Sequence, residues 1–295
     1  MRTVLIGGTI IDGTGGPVIK DGMVVVEGSK IVEVGPRRND VDADALVLDV
    51  SGKTLMPGLI DCELHFAAWN HWVISSQQHP REYYACKSVY AMRRCLESGV
   101  TSARDLGGLE VGFCQAQAAG LIRGPRTQTG LVILQPTNGL TDTFAGAGNA
   151  ITPQGYYGQL PGIPLPWCDG PHQCRAKVRE VLRYGAHLVK IANTAWGGNP
   201  ALRPDRPLFT PEEIEAMVDE AHRAGVQLHC HATGLQATLE ALRAGVDIIG
   251  HGFPLDEECV EEMARRGTWY LPTFAIWRYH PTERNPDPVA RARAT

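Results

Sequence analysis

The sequence predicts an α/β protein: a TIM-type (β/α)8 barrel whose last strand is not found, preceded by a small N-terminal β-sandwich segment. Three observations predict it. Residues 1–55 hold only short β runs separated by turns. From residue 59 short apolar strands alternate with amphipathic helices. Several of those helices stop at a glycine just before the next strand, as repeated βα units do.

The leading segment reads "TVLIGGTIID", "GMVVVEGSKIVEVG" and "ALVLDVSGKTLMPG". Val, Ile and Leu alternate with Gly, Asp and Ser, and "EGSK" has the chemistry of a tight hairpin turn. No helical pattern separates these runs, so the expectation is an antiparallel unit over 1–55, followed by a barrel domain over 56–295.

The barrel units follow in order. Strand "GLIDCELHF" leads to a helix through "REYYACKSVYAMRRCLESG", then come "VTSARDLGG" and "RTQTGLVIL". After a long insertion, helix "PHQCRAKVREVLRYG" precedes strand "AHLVKIAN". The next helix has Thr210 as N-cap, Glu213 as its capping-box partner and Gly225 as its stop. Strand "VQLHCHA", helix "LQATLEALRAG", strand "VDIIGHG", helix "DEECVEEMARRG" and strand "TWYLPTF" complete seven units. The chain then runs out in the polar "PDPVARARAT". Seven strands leave an edge between the last and the first. The expectation is a shortened form of a longer chain, with a homo-oligomer or a partner covering the open edge.

Composition limits the function classes. Of 295 residues, 43% are hydrophobic and 20% charged, with a formal charge of −4. That mild acidity gives no reason to expect nucleic acid as a partner, and no apolar run reaches the ~20 residues of a membrane span. The first apolar run breaks at Gly7 and Gly8, unlike a signal peptide, so the chain reads as cytoplasmic. Its eight cysteines include no CxxC pair and read as reduced. Cys168 and Cys174 flank His172 but lack a fourth ligand for a structural metal. Neither GxGxxG after a first strand nor a P-loop is present, so nucleotide binding is not indicated.

Barrel enzymes carry reactive groups at the C-terminal ends of strands. Five candidate metal ligands fall there: Glu63, His65, Lys190, His229 and His251. Residues i and i+2 of a strand face one way, so Glu63 and His65 can address one ion, and His229 shares that relation with His231. Neutral imidazoles with a carboxylate suit Zn²⁺, with Co²⁺ or Mn²⁺ as alternatives, and such a site lowers the pKa of bound water to about 7. A buried ammonium at Lys190 must be ion-paired, chemically modified or at the rim. Arg104 and Asp105 read as an internal ion pair.

The segments "LMPGLIDCELH", "GVTSARDLGG", "GAHLVKIAN", "HCHATG", "AGVDIIGHG" and "YLPTF" resemble, in order and separation, the amidohydrolase superfamily, in particular its imidazolonepropionase-like and prolidase-like metal-dependent hydrolases. The resemblance implies that His65, His229 and His251 are metal histidines. It implies that Lys190 is the lysine often carboxylated to bridge two ions, and that His231 lies near the substrate. The chain departs from the pattern in three places. Glu63 stands where the family has the first histidine of His-x-His, the eighth-strand aspartate has no counterpart, and Leu140 stands where relatives often carry a pocket histidine.

Three readings of Glu63 stay open. It replaces a histidine as ligand, it pairs with a Lys190 ammonium beside a single ion on the three histidines, or it is the remnant of a retired site. It is also a candidate substitute base. Trp69, Trp72, Trp167 and Trp196, with His71 and the Tyr83–Tyr84 pair, fall in or beside βα loops and suggest an aromatic mouth. The function expected is hydrolysis of a C–N bond in a small amide, carbamate, urea, lactam or dipeptide-like substrate by metal-activated water, with His231 and Glu63 as the catalytic candidates. The alternative is an impaired homologue acting as a binding or assembly subunit.

Overall fold

Alternation of Val, Leu and Ile along the first ten residues makes a long strand, and the rest of the N-terminal segment builds on it. The computed structural model describes residues 2–41, 43–67, 80–140, 142–144, 150–151, 163–195 and 205–274; Trp69, His71, Trp72, Trp196 and the polar tail lie outside them. The chain divides into two compact units, Met1–Leu59 and Ile60–Thr295.

In the first unit, β1 (Arg2–Ile10), β2 (Ile19–Glu27) and β3 (Lys30–Pro36) form an antiparallel meander. Glu27 pairs with Lys30 across the tight turn, as "EGSK" predicts. Val4, Met23 and Val25 form its small core. The wholly antiparallel expectation is corrected here: β4 (Leu46–Asp49) and β5 (Thr54–Leu55) both run parallel to β1. A parallel pair needs a crossover, and the β2–β3 hairpin with the segment after it serves as one without any helix. The described residues thus make one mixed sheet with β1 at its centre. Gly7, with φ of 85°, sits at a register shift in β1, where a side chain would run into Ser51.

The second unit alternates strands and helices. β6 (Leu59–Leu64), β7 (Val100–Asp105) and β8 (Arg126–Thr129) form one sheet, with β7 and β8 parallel. β9 (Ile133–Leu134) precedes a short hairpin of β10 (Thr143–Phe144) and β11 (Ala150–Ile151). β12 (Val189–Ala192), β13 (Leu228–Ala232), β14 (Ile248–His251) and β15 (Trp269–Leu271) then join β9 in an all-parallel sheet ordered β15-β14-β13-β12-β9. Every residue of β12, β13 and β14 is buried, the burial expected of a parallel sheet covered on both faces.

The run "RTQTGLVIL", expected as one strand, is broken. Gly130 and Leu131 interrupt it, Leu131 with φ of 64°. The Gly130 N–H donates to the Asp105 carbonyl and the Gly108 N–H to that of Leu131. A leucine with positive φ is strained, and the complete burial of its side chain offsets the cost. The break hands the chain from β7 on one side to β12 on the other. No described pairing joins β15 to β6.

Helices α1 (Arg81–Glu97), α2 (Val111–Ala118), α3 (Gly170–Arg183), α4 (Pro211–Arg223), α5 (Leu235–Arg243) and α6 (Glu257–Arg266) follow successive strands. α2 has no counterpart in the sequence reading because "VGFCQAQA" carries no apolar stripe and none of its residues is buried. Leu131, Val178, Met217, Leu228 and Ile249 belong to the main core, shared by the parallel strands and α3–α6. None of the described helices is long and apolar enough to cross a membrane.

The α4 capping box forms as its spacing predicts: Thr210 Oγ1 accepts from the Glu213 N–H, and Glu213 accepts the Thr210 N–H at 2.7 Å. Glu213 also accepts the Gly170 N–H at the start of α3, at 2.6 Å. Thr210→Ala should therefore cost about 1 kcal/mol in urea unfolding, and Glu213→Ala, which strands two helix starts, about 2 kcal/mol or more. Equal losses would show that the Gly170 bond adds nothing.

Candidate metal centre

Glu63 and His251 come from the ends of β6 and β14, Lys190 and His229 from paired positions inside β12 and β13, and the four side chains converge. Glu63 on β6 meets Lys190 on β12, with 3.0 Å between Oε1 and Nζ. His229 Nε2 lies 3.1 Å from Glu63 Oε2, and His251 Nε2 lies 3.3 Å from Oε1. The chain runs from β8 to β9 through only three residues, and with those two short strands taken as one position joining the two sheets, Glu63 is five strand spacings from His251. In a flat sheet that would be ~24 Å at about 4.8 Å per strand. The parallel strands must therefore curl, with Glu63, Lys190, His229 and His251 on the inside.

Burial sets the charge states. Lys190, Glu63, His229 and His251 expose 1%, 7%, 0% and 6% of their side chains. Burial alone pushes the Glu63 carboxyl up, but the Lys190 ammonium and the two histidines reverse this and hold it well below its ordinary range. Burial, reinforced by Lys190, pushes His229 down to about 4. Burial likewise takes His251 to about 4 against the opposing pull of Glu63. His231, packed edge-on to His251 with ring centroids 4.4 Å apart, is held well below its ordinary value by burial and then by its neighbour. Both candidate ligands are thus neutral imidazoles, the form that binds metals.

As it stands the cluster closes on the Glu63 carboxylate, and among the described residues no three His, Cys, Asp or Glu side chains surround a common metal position. The donors still fit a divalent ion. Neither ring nitrogen of His229 makes a hydrogen bond among the described residues, nor does Glu63 Oε2, whose approach to His229 is out of line for one. A buried polar atom without a partner is costly, and here three lie in one cluster. Space is kept by Gly250, since a Cβ there would meet Glu63 Oε2 at 2.5 Å and His229 Nε2 at 2.6 Å.

His65 is anchored separately. Its Nδ1 lies 3.0 Å from the Gly107 carbonyl oxygen, in the turn that follows β7. Asp105, at the end of β7, accepts N–H groups from Phe66, Gly107 and Leu109 at 2.6, 3.0 and 3.3 Å. Burial raises its carboxyl to about 6 despite those bonds. The expected Arg104–Asp105 ion pair is not formed. Neighbours on a strand face opposite ways, and the Arg104 guanidinium donates instead to Gln128 and Gln227. His251 is fixed from two sides: its Nδ1 is 2.7 Å from Thr273 Oγ1, and its carbonyl accepts the Tyr270 hydroxyl. It sits in the left-handed region with φ of 72°, a strain of the kind that collects at functional sites.

Other sequence candidates resolve simply. Cys168 and Cys174 are buried while His172 is exposed, so the three do not converge. All eight cysteines are free thiols. Trp167 is half-buried and donates its indole N–H to Asp142 at 3.0 Å, and Leu140 is half-buried. The sequence reading passed over Gly250, Thr273 and Tyr270. The glycine immediately before "H" in "IIGHG" is the available signal for the first, whereas the other two support His251 from another strand and the turn after it.

Comparison with known proteins agrees with this architecture. Residues 54–289 match the amidohydrolase family. The chain is 30% identical to ochratoxinase from Aspergillus niger over 93% of its own length, spanning 59% of that protein. A prolidase solved with N-methylphosphonate-L-proline superposes with a TM-score of 0.85 at 31% identity, covering 100% of this chain and 72% of that one. A Xaa-Pro dipeptidase solved with methionine in its active site gives 0.82 at 27% identity, covering 95% and 68%.

Two outcomes test this geometry. His229 and His251 bind protons more weakly when folded (about 4) than at their ordinary 6.5. Their contribution is therefore present above pH 6.5 and lost as pH falls through 4, up to about 3 kcal/mol each. The metal-free chain should show a falling melting temperature across that window by circular dichroism, and a flat profile would contradict neutral buried imidazoles. Gly250→Ala should displace Glu63 and His229 and weaken zinc binding at least about tenfold in a chelator competition; unchanged affinity would show that the site has slack.

Proposed function

This chain belongs to the amidohydrolase family, and from that premise we propose that it is a metal-dependent hydrolase of a C–N bond in a small amide. The observation that carries the proposal is the buried convergence of Glu63, Lys190, His229 and His251. His65, His229 and His251 would hold a divalent ion, zinc in the first instance, with Glu63 and Lys190 beside it. When bound, such an ion supplies polarisation of the scissile carbonyl and of the attacking water.

The remaining chemistry belongs to the chain itself. Lys190 with Glu63 makes a charge-balanced pair, and the 3.0 Å contact supports Glu63 as counter-ion. A carboxylate held so far below its ordinary range accepts protons weakly, which argues against Glu63 as the base. His231, neutral and next to His251 at the end of β13, is the group we assign to the developing oxyanion or the leaving amine. Its depressed pKa keeps it in the neutral form at pH 7, with one N–H to donate and one lone pair to receive a proton.

The named activities of the prolidase and Xaa-Pro dipeptidase relatives support dipeptide-like substrates. The parallel arc, with β6 and β15 at its edges unpaired among the described residues, is proposed to be most of a (β/α)8 barrel. Ile60 and Trp269, 69% and 68% exposed on those edges, support coverage by a further strand, from more of the same protein, a second copy or a partner. Free cysteines support a cytoplasmic setting.

Metal content per chain, measured by mass spectrometry beside a Lys190→Ala control and with Xaa-Pro hydrolysis assayed in parallel, tests the reading. One zinc per chain and measurable hydrolysis are expected. Two ions falling to one or none in Lys190→Ala would instead mark Lys190 as a modified, bridging ligand. No ion in either protein would sink the hydrolase reading of this chain.

A further inference from the structure

Asp105 lies outside the cluster of charged groups, yet every bond it makes is to backbone close to a candidate metal ligand. Its side chain is fully buried. Oδ2 accepts the N–H of Phe66, the residue after His65, at 2.6 Å. Oδ1 accepts the N–H groups of Gly107 and Leu109 at 3.0 and 3.3 Å. One carboxylate thereby ties the end of β6 to the turn after β7. The Leu106 N–H reinforces the tie by donating to the Leu64 carbonyl, and Phe66 and Leu109 pack in one small core.

That turn presents the Gly107 carbonyl to His65 Nδ1 at 3.0 Å. A carbonyl oxygen has no proton, so Nδ1 must carry one, and in the neutral ring that leaves Nε2 with the lone pair. Gly108, with φ of 106°, allows the chain to turn there, and its N–H is held by the Leu131 carbonyl. The ring is therefore oriented by the carbonyl of Gly107, a residue whose own N–H, one peptide group earlier, is held by Asp105.

We propose that Asp105 is a positioning residue for His65: by clamping Phe66 and Gly107 together it fixes the Nδ1–H tautomer and directs Nε2 as an electron-pair donor. The proposal rests on the metal-dependent reading above for the use of that lone pair, but not for the tautomer. Asparagine distinguishes the clamp from a simple turn contact. It keeps an oxygen for Gly107 and Leu109 while setting an NH₂ group against the Phe66 N–H, two donors face to face.

The test is two-bond ¹H–¹⁵N correlation spectroscopy of ¹⁵N-histidine-labelled, metal-free protein, with His65 assigned by its loss in His65→Gln, beside zinc affinity by chelator competition. The wild-type chain should show His65 as the Nδ1–H tautomer. Asp105→Asn should convert it to a mixture or to Nε2–H and lower zinc affinity about ten- to a hundredfold. Retention of either the tautomer or the affinity in that variant overturns the proposal, whatever happens to its melting temperature. If Asp105→Asn fails to fold, the wild-type spectrum decides, because an Nε2–H tautomer there overturns the clamp by itself. A wild-type chain with the expected tautomer that takes up no zinc would support the clamp and sink the hydrolase reading alone.

Discussion

A lysine ammonium buried to 1% exposure cannot stand alone in a protein interior. Lys190 sits on β12, between β9 and β13 in the parallel sheet, and its counter-ion comes from β6, a strand of the other sheet. Removing one partner of such a pair leaves an uncompensated buried charge, a loss of ~3–5 kcal/mol. The ion pair therefore does more than balance charge. It ties β6 to β12 through side chains, where no described strand pairing joins the two sheets that hold them.

The same pair sets the electrostatics of what surrounds it. Burial strips protons from His229 and His251, and the nearby ammonium adds to the effect at His229. Two neutral imidazoles beside an ionised carboxylate are the product, and they are what a divalent cation requires. The site is a cost to the chain by itself, because orphaned ring nitrogens and a strained His251 backbone have no return in the folded state alone. Such features persist where function uses them.

Support for the site comes from outside it. Thr273 and Tyr270 grip His251 by its ring and its carbonyl, Asp105 grips the segment around His65, and Gly250 leaves room by having no side chain. Tyr270, Gly250 and Asp105 are ladder-paired residues of β15, β14 and β7, and Thr273 lies just beyond β15, so the support comes from neighbouring strands and the turns that follow them. The helix layer is independent of this. α3 and α4 are linked through Glu213, which serves the start of both.

Much of this was legible in the sequence because it depends on local pattern. The strand–helix alternation, the Thr210–Glu213 capping box, the "EGSK" hairpin and the placing of Glu63, Lys190, His229 and His251 on strands, with His65 just past β6, follow from periodicities of two and 3.6 and from Gly stops, although Lys190 and His229 fall inside their strands and not at the expected ends. What depends on two distant segments meeting was not. The parallel pairing of β4 and β5 with β1, the break at Leu131 and the departure of Arg104 from Asp105 toward Gln128 and Gln227 arise from crossover and packing. So does the central contact. Sequence named Glu63 and Lys190 and left open what they do to each other; only the curl of the sheet brings groups 127 residues apart to 3.0 Å, because burying either charge demands the other.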